Sequence, residues 1–192
     1  MKNLICAFRT YVVLTVVCGL LYTLTVTALA QCLFPFKANG SFVTTGGKIV
    51  GSELLGQAFT KPEYFRSRPS SISYDPLPSG ASNFGPVSLQ LKDSVEARRK
   101  EFRSAFGMAP DSAIPPDMLF SSASGLDPHI SPEAARLQIN RIAERRHLTS
   151  RQKEAFSALV ERSIEQPQLG FLGMPRVNVL RLNRMLDTIK QF

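Results

Sequence analysis

The chain has no tryptophan, only two histidines, and no cysteine beyond position 32. Each scarcity removes a class of chemistry. Cys6, Cys18 and Cys32 all lie near the N-terminus, so the remaining 160 residues can form neither a disulfide nor a thiolate metal site among themselves. His129 and His147 are the only imidazoles. Asp127 stands two positions before His129, but no third ligand lies nearby, so a metal site lacks donors. No GxxxxGK[ST] loop is present to cradle phosphate, and no GxGxxG follows a strand. "TTGGKIVG" holds glycines and a lysine at the wrong spacing. A GxSxG elbow and an HExxH pair are also missing. Spacing alone does not test a Ser–His–Asp arrangement, whose members need not be neighbours.

Charge is missing too. No charged side chain occurs from Thr10 to Phe36, and the first 37 residues hold no acid. The apolar heart of this run, Tyr11–Ala30, would span about 30 Å as a helix, the thickness of a bilayer core. Its threonine hydroxyls can return to carbonyls one turn back, which makes them tolerable in lipid. Lys2 and Arg9 flank its start, which puts the N-terminus on the cytoplasmic side, although Lys37 reduces the asymmetry. Ala28-Leu29-Ala30 has the form of a signal-peptidase site, so a cleaved signal is the alternative to a retained anchor. Either reading places the rest outside. The expected division is a short cytoplasmic N-terminus at 1–9, a transmembrane helix at 10–33 and an extracytoplasmic domain at 34–192.

The net charge is +8, and Lys2, Arg9 and Lys37 supply three of it. Beyond them stand 20 basic against 15 acidic residues, spread along the chain. That fits a weakly basic surface and no dedicated nucleic-acid patch. Hydrophobic residues make up 44%, which does not suggest disorder.

After the apolar run, Gly40–Gly56 reads as a hairpin turning at Gly46-Gly47. Thr60–Pro86 is rich in proline, serine and glycine. The aromatics Phe59, Tyr64, Phe65, Tyr74 and Phe84 predict an ordered loop pinned to the domain, and not a solvated linker. Leu89–Phe106 reads as a helix with Leu91, Val95, Phe102 and Phe106 on one stripe and Gly107 ending it. Arg98, Arg99, Lys100 and Arg103 are expected on a solvated face. Met118–Ala123 is a strand candidate.

Next comes the octet "GLDPHISP", Gly125–Pro132. Ser131 suits a helix N-cap, Pro132 the first helical position and Glu133 the first turn. Ala135, Ile139, Ile142 and Ala143 then form a buried stripe. Thr149 and Gln152 match a capping box for another helix, with Ala155, Phe156, Leu159, Val160 and Ile164 inward and Pro167 and Gly170 closing it. Asn178 is placed to cap a last helix carrying Val179, Leu182, Met185, Leu186 and Ile189 on one side. The fold class is α+β: one N-terminal transmembrane helix, then a small domain with a small sheet and three to four helices. In the octet, Asp127 is expected to accept a turn amide, and His129 to bond the same turn or face a partner.

Five segments in this order resemble the C subunit of the bacterial high-affinity potassium-transporting ATPase, the Kdp complex. They are "GSELLGQAF" (Gly51–Phe59), "YFRSRPS" (Tyr64–Ser70), "GASNFGP" (Gly80–Pro86), "SGLDPHISP" (Ser124–Pro132) and "GFLGMPRVNVL" (Gly170–Leu180). Ala81 stands where a second glycine is usual, Phe84 where leucine is usual, and Met174 where an acid is usual, beside Arg176. The resemblance implies an accessory subunit of a P-type ATPase with no catalytic residues of its own. Its partners would be a channel-like potassium-binding subunit and the ATPase subunit, in the bacterial inner membrane. It also implies a catalytic-chaperone effect that raises the ATP affinity of the ATPase subunit, so ATP enters only through that partner. No cofactor or metal is expected on this chain. Arg66, Arg68, Asn83, Asp127, His129 and Arg176 are candidate structural or partner-interface positions. The alternative is a secreted or membrane-anchored enzyme or binding module.

Overall fold

The computed structural model describes residues 1–188 and divides into two compact units, Met1–Val50 and Gly51–Phe192. The first unit opens with one rod, Lys2–Leu33, long and apolar enough to cross a bilayer. Lys2–Leu14 (α1) and Tyr22–Leu33 (α2) are α-helical, and the seven residues between them, Thr15–Leu21, are wound as π-helix. The expected hydroxyl bonds are present: Thr25 Oγ1 donates to Leu21 O at 2.7 Å and Thr27 Oγ1 to Thr23 O at 2.8 Å. Thr23 Oγ1 donates to both Gly19 O and Leu20 O, at 2.5 and 3.1 Å. It thereby competes for acceptors of the helical ladder where the rod departs from α-geometry. A four-residue helix, Pro35–Ala38 (α3), and a hairpin of Phe42–Thr45 (β1) with Lys48–Ser52 (β2) follow. Gly46 and Gly47 turn it with φ of +58° and +78°, the two left-handed positions of a type I′ turn.

Among the described residues the second unit holds four α-helices: Leu89–Phe106 (α4), Pro132–Arg145 (α5), Ser150–Arg162 (α6) and Val179–Thr188 (α7). Its sheet is one antiparallel pair, His129–Ile130 (β3) with Val177–Asn178 (β4), in the register His129↔Asn178 and Ile130↔Val177. The core gathers Phe65, Phe102, Ile130, Ile139, Ile142, Phe156, Val160, Leu182 and Leu186 from all four helices, the sheet and the long loop. Caps start the helices as the side chains dictate. Ser88, Ser131 and Thr149 each accept an amide of the first turn, and Thr149 with Gln152 completes a capping box. Asn178 Oδ1 accepts Arg181 N at 3.1 Å at the start of α7. Gly107 ends α4 in the left-handed conformation.

The aromatic loop is pinned as expected through four of its five rings. Phe65 is fully buried, Phe59 packs on the core, Tyr64 donates to Asp187, and Tyr74 donates to Arg68 O at 2.6 Å. Phe84 is exposed.

Several expectations are corrected. Met118–Ala123 is not a strand. Pro116–Met118 forms a 3₁₀ turn, and Phe120 N returns to Pro116 O at 2.9 Å. The amides of Met118 and Leu119 likewise return to the Pro115 and Pro116 carbonyls, so the first three amides of the stretch are not available to a ladder. The strand lies instead inside the octet. Arg98 and Arg103 do not sit on a solvated face. Both are half-buried and donate to loop carbonyls, Arg98 to Leu119 O at 2.9 Å and Arg103 to Ser112 O at 3.4 Å. Helix α6 ends at Arg162, before Pro167, because Ser163 Oγ takes the Leu159 carbonyl at 2.7 Å and Glu165 pairs with Arg176. Ala155 is exposed, not inward. Ile189 lies outside the described residues.

Candidate functional site

The octet is bonded to four other segments of the second unit, at Gly56, Arg68, Asp117 and Asn178–Val179. Gly56 N donates to Leu126 O at 2.7 Å and Val179 N to Pro128 O at 2.9 Å, and just before the octet Gly80 N donates to Ser124 O at 3.2 Å. Gly125 has φ +70°, and a Cβ there would lie 2.9 Å from the Gly80 carbonyl oxygen and collide with Ile72. Only glycine fits. At the other end Asp117 takes both donors of Ser131, the amide at 2.7 Å and the hydroxyl at 3.1 Å. That hydroxyl also accepts Ala134 N, so Ser131 is spent on the helix cap and on Asp117.

Asp127 holds the middle. Its Oδ1 accepts the His129 amide at 3.0 Å, the Asx turn that an aspartate before proline favours. His129 Nδ1 lies 3.4 Å from the same oxygen. Its Oδ2 accepts Arg68 Nη1 at 2.9 Å. Partial burial pushes the Asp127 carboxyl up. The His129 ring and amide and the Arg68 guanidinium outweigh it and hold the group at about 2, below its ordinary 3.8. A depressed carboxyl stabilises the fold at pH values above its unfolded value, and the gain is lost as pH falls through the folded one. The stability gap between wild type and Asp127→Asn is therefore expected to be fully present above about pH 5. It should shrink by up to about 2 kcal/mol as pH falls to about 2. Denaturant titrations at stepped pH check this, and a gap constant over that range would refute the assignment.

The six candidate positions divide. Arg68, Asp127, His129 and Arg176 line one groove of about 1170 Å³ with Asp117, Glu133 and apolar side chains. Arg66 lies in a separate cleft of about 310 Å³, where its guanidinium meets Glu101 at 3.0 Å. Asn83 is exposed with φ +52° on the loop and lines neither of these two hollows. Arg176 pairs with Glu165 at 3.2 Å, so Met174 in place of an acid does not leave it unmatched. Among the described residues, no cluster of three or more His, Cys, Asp or Glu has metal-holding geometry.

Four residues with positioning roles escaped the sequence reading. Gln138 and Asn183 are buried and bind the Phe65–Arg66 backbone from two helices. Phe65 N and O meet Asn183 at 2.8 and 3.1 Å, and Arg66 N and O meet Gln138 at 2.8 and 3.3 Å. The available signal was a carboxamide inside an apolar stripe: position 138 falls three after Ala135 and four before Ile142 on α5. Arg141 donates to Tyr64 O at 2.9 Å and stacks 4.0 Å over the Phe106 ring. Burial, with Arg66 and Arg145 nearby, pushes its guanidinium down to about 10. Asp117 left no sequence signal, because its partner lies 14 residues away.

Comparison with known proteins finds similar sequences along nearly the whole chain. Residues 4–188 match the family model described as the c chain of the K+-transporting ATPase. The potassium-transporting ATPase KdpC subunit of Allorhizobium ampelinum is 48% identical over 179 residues, covering 92% of this chain and 91% of that protein. Those of Geobacter sulfurreducens and Leptospira interrogans are 46% and 44% identical, covering 98% and 95% of this chain and 99% and 92% of theirs. The five segments, the apolar rod before them and this full-length match place the chain in the KdpC family of potassium-transporting ATPase subunits.

Proposed function

We propose that this chain is a non-catalytic assembly subunit of the Kdp-type potassium pump. The rod Lys2–Leu33 anchors it in the bacterial inner membrane with the N-terminus cytoplasmic, and the domain lies outside against a channel-like potassium-binding subunit. The observation that carries the reading is how the octet is used. Its acid, serine and turn amides are engaged within the chain, tying five segments into one body. That is the construction of a rigid docking module. ATP belongs to the P-type ATPase subunit, which this topology puts across the membrane from the domain. A chaperone-like effect on ATP affinity then passes through the partners as coupling free energy, with no nucleotide held by this domain.

The test is a detergent pull-down of the C-terminally tagged full chain co-expressed with the other pump subunits. Both large partners should be recovered, together with potassium-stimulated ATPase activity that is lost when this chain is omitted. Recovery of the chain alone, with its first 30 residues removed, would sink the proposal. The anchor has its own arm. Gly19→Arg places a charge at mid-rod, costs roughly 2.5–3.5 kcal/mol of insertion, and should lower complex yield.

A further inference from the structure

The chain carries no acid before Glu53. The first unit, Met1–Val50, therefore holds cations with no carboxylate among its own residues to neutralise them. Two of these cations, Lys37 and Lys48, lie beyond the rod and are exposed. Glu53 itself is held by Arg181 at 2.6 Å within the second unit. The same short stretch exposes large apolar side chains. Phe34, Phe36, Phe42 and Ile49 are 58%, 52%, 53% and 64% exposed. Open rings beside unneutralised lysines are the composition of a surface that meets something apolar and anionic together.

The backbone sets the depth of this stretch. Phe34 breaks the rod with φ −137° and ψ 52°, and α3 starts at Pro35. Residues eight apart in a straight helix stand about 12 Å apart along its axis. Asn39 nevertheless bonds Gln31 side chain to side chain. Its Nδ2 donates to Gln31 Oε1 at 3.1 Å, and Gln31 Nε2 donates to Asn39 Oδ1 at 3.4 Å. Asn39 Nδ2 also donates to Pro35 O at 2.7 Å. Helix α3 thus turns across the rod's end instead of extending its axis. Ser41 N returns to Phe36 O at 3.0 Å, so the hairpin starts from the same level. Gln31 directly follows the apolar heart Tyr11–Ala30, whose length matches the bilayer core. The turned segment and its rings therefore sit where hydrocarbon gives way to headgroups. Lys37 opposes the charge asymmetry of the span, and a phosphate at that level accounts for its place.

We propose that residues 34–50 form an interfacial collar that docks on anionic phospholipid in the leaflet where the rod ends. Phe34, Phe36 and Phe42 meet the acyl boundary, and Lys37 and Lys48 meet headgroup phosphates. The proposal rests on the anchored-rod reading above. The occupant follows from continuity with the span and from the charge of a unit that is basic only. The chain has no tryptophan, so one introduced ring is a unique reporter. The full chain with Phe42→Trp is reconstituted in vesicles of phosphatidylcholine and phosphatidylglycerol at three to one. Lipids brominated near the headgroup end of the acyl chain are expected to quench its emission at least twofold. On extraction into detergent, the wild-type chain is expected to retain at least twofold more phosphatidylglycerol than Lys37→Gln/Lys48→Gln. An unquenched Phe42→Trp, or equal retention by the two chains, overturns the proposal. Leu20→Trp, at mid-rod, should be quenched by lipids brominated near the chain end. If it is not, the anchor reading has failed and the collar falls with it. If Leu20→Trp is quenched and Phe42→Trp is not, the collar alone is wrong. Irradiation of the co-expressed pump carrying Phe42→p-benzoylphenylalanine should give a phospholipid adduct, and an adduct confined to another subunit overturns the proposal.

Discussion

Asp127→Ala is expected to lower the unfolding free energy by about 3 kcal/mol. The carboxylate accepts the His129 amide and the Arg68 guanidinium and faces the His129 ring. Removing it leaves a guanidinium that is only 26% exposed, whose Nε already lacks a partner, without its counter-charge. A charge-assisted bond is worth about 1.5–3 kcal/mol, and stranding a buried charge costs about 3–5 kcal/mol. The pair is partly exposed, so the lower end of the second range applies. Urea unfolding of the full chain in detergent, followed by tyrosine dichroism because tryptophan is absent, gives the number. The cause can be separated from simple truncation. In an Arg68→Ala background the same substitution should cost markedly less, since no stranded cation remains. A loss below about 1 kcal/mol, or equal losses in both backgrounds, would refute the clamp.

Helix positions were legible in the sequence because their signals are local. Ser131, Thr149 and Asn178 accept amides three residues on, and Gly107 terminates α4 where it stands. The buried stripe of α5 follows from spacing alone. The strand was missed for the complementary reason. His129 and Ile130 pair with Asn178 and Val177, nearly fifty residues away, and two-residue strands leave no periodicity to read. Met118 and Leu119 carry the apolar character of a strand, yet the Leu119 carbonyl goes to Arg98 on α4. Four of the six candidate site residues meet at one groove, but only Asp127 and His129 are near neighbours in sequence. The turn amide on Asp127 was predictable from Asp-Pro. Arg68, 59 residues earlier, became a candidate through the family resemblance, but its pairing with Asp127 left no sequence signal.

The largest loss is expected at Phe65, where Phe65→Ala should cost about 3–5 kcal/mol. The ring is fully buried and packs 5.6 Å from the Phe156 ring of α6, tilted at 55°. A loop residue in a core poses a problem beyond volume: its backbone polar groups are buried with it. Asn183 of α7 and Gln138 of α5 solve this by acting as substitute strand neighbours for Phe65 and Arg66. The ring therefore holds three things together, the proline-rich loop and the two helices whose carboxamides grip it. Its removal opens a cavity and weakens the reason for the loop to enter. Asn183→Leu keeps the site filled but strands the Phe65 amide and carbonyl, and should cost about 2–3 kcal/mol. Because the two substitutions act on one residue's ring and backbone, the double variant should lose less than the sum. Additive losses would mean that the ring and the carboxamide stabilise the loop independently. A Phe65→Ala loss under about 2 kcal/mol would mean that the loop is held by its flanks, at Tyr64 and Tyr74, and not by its centre.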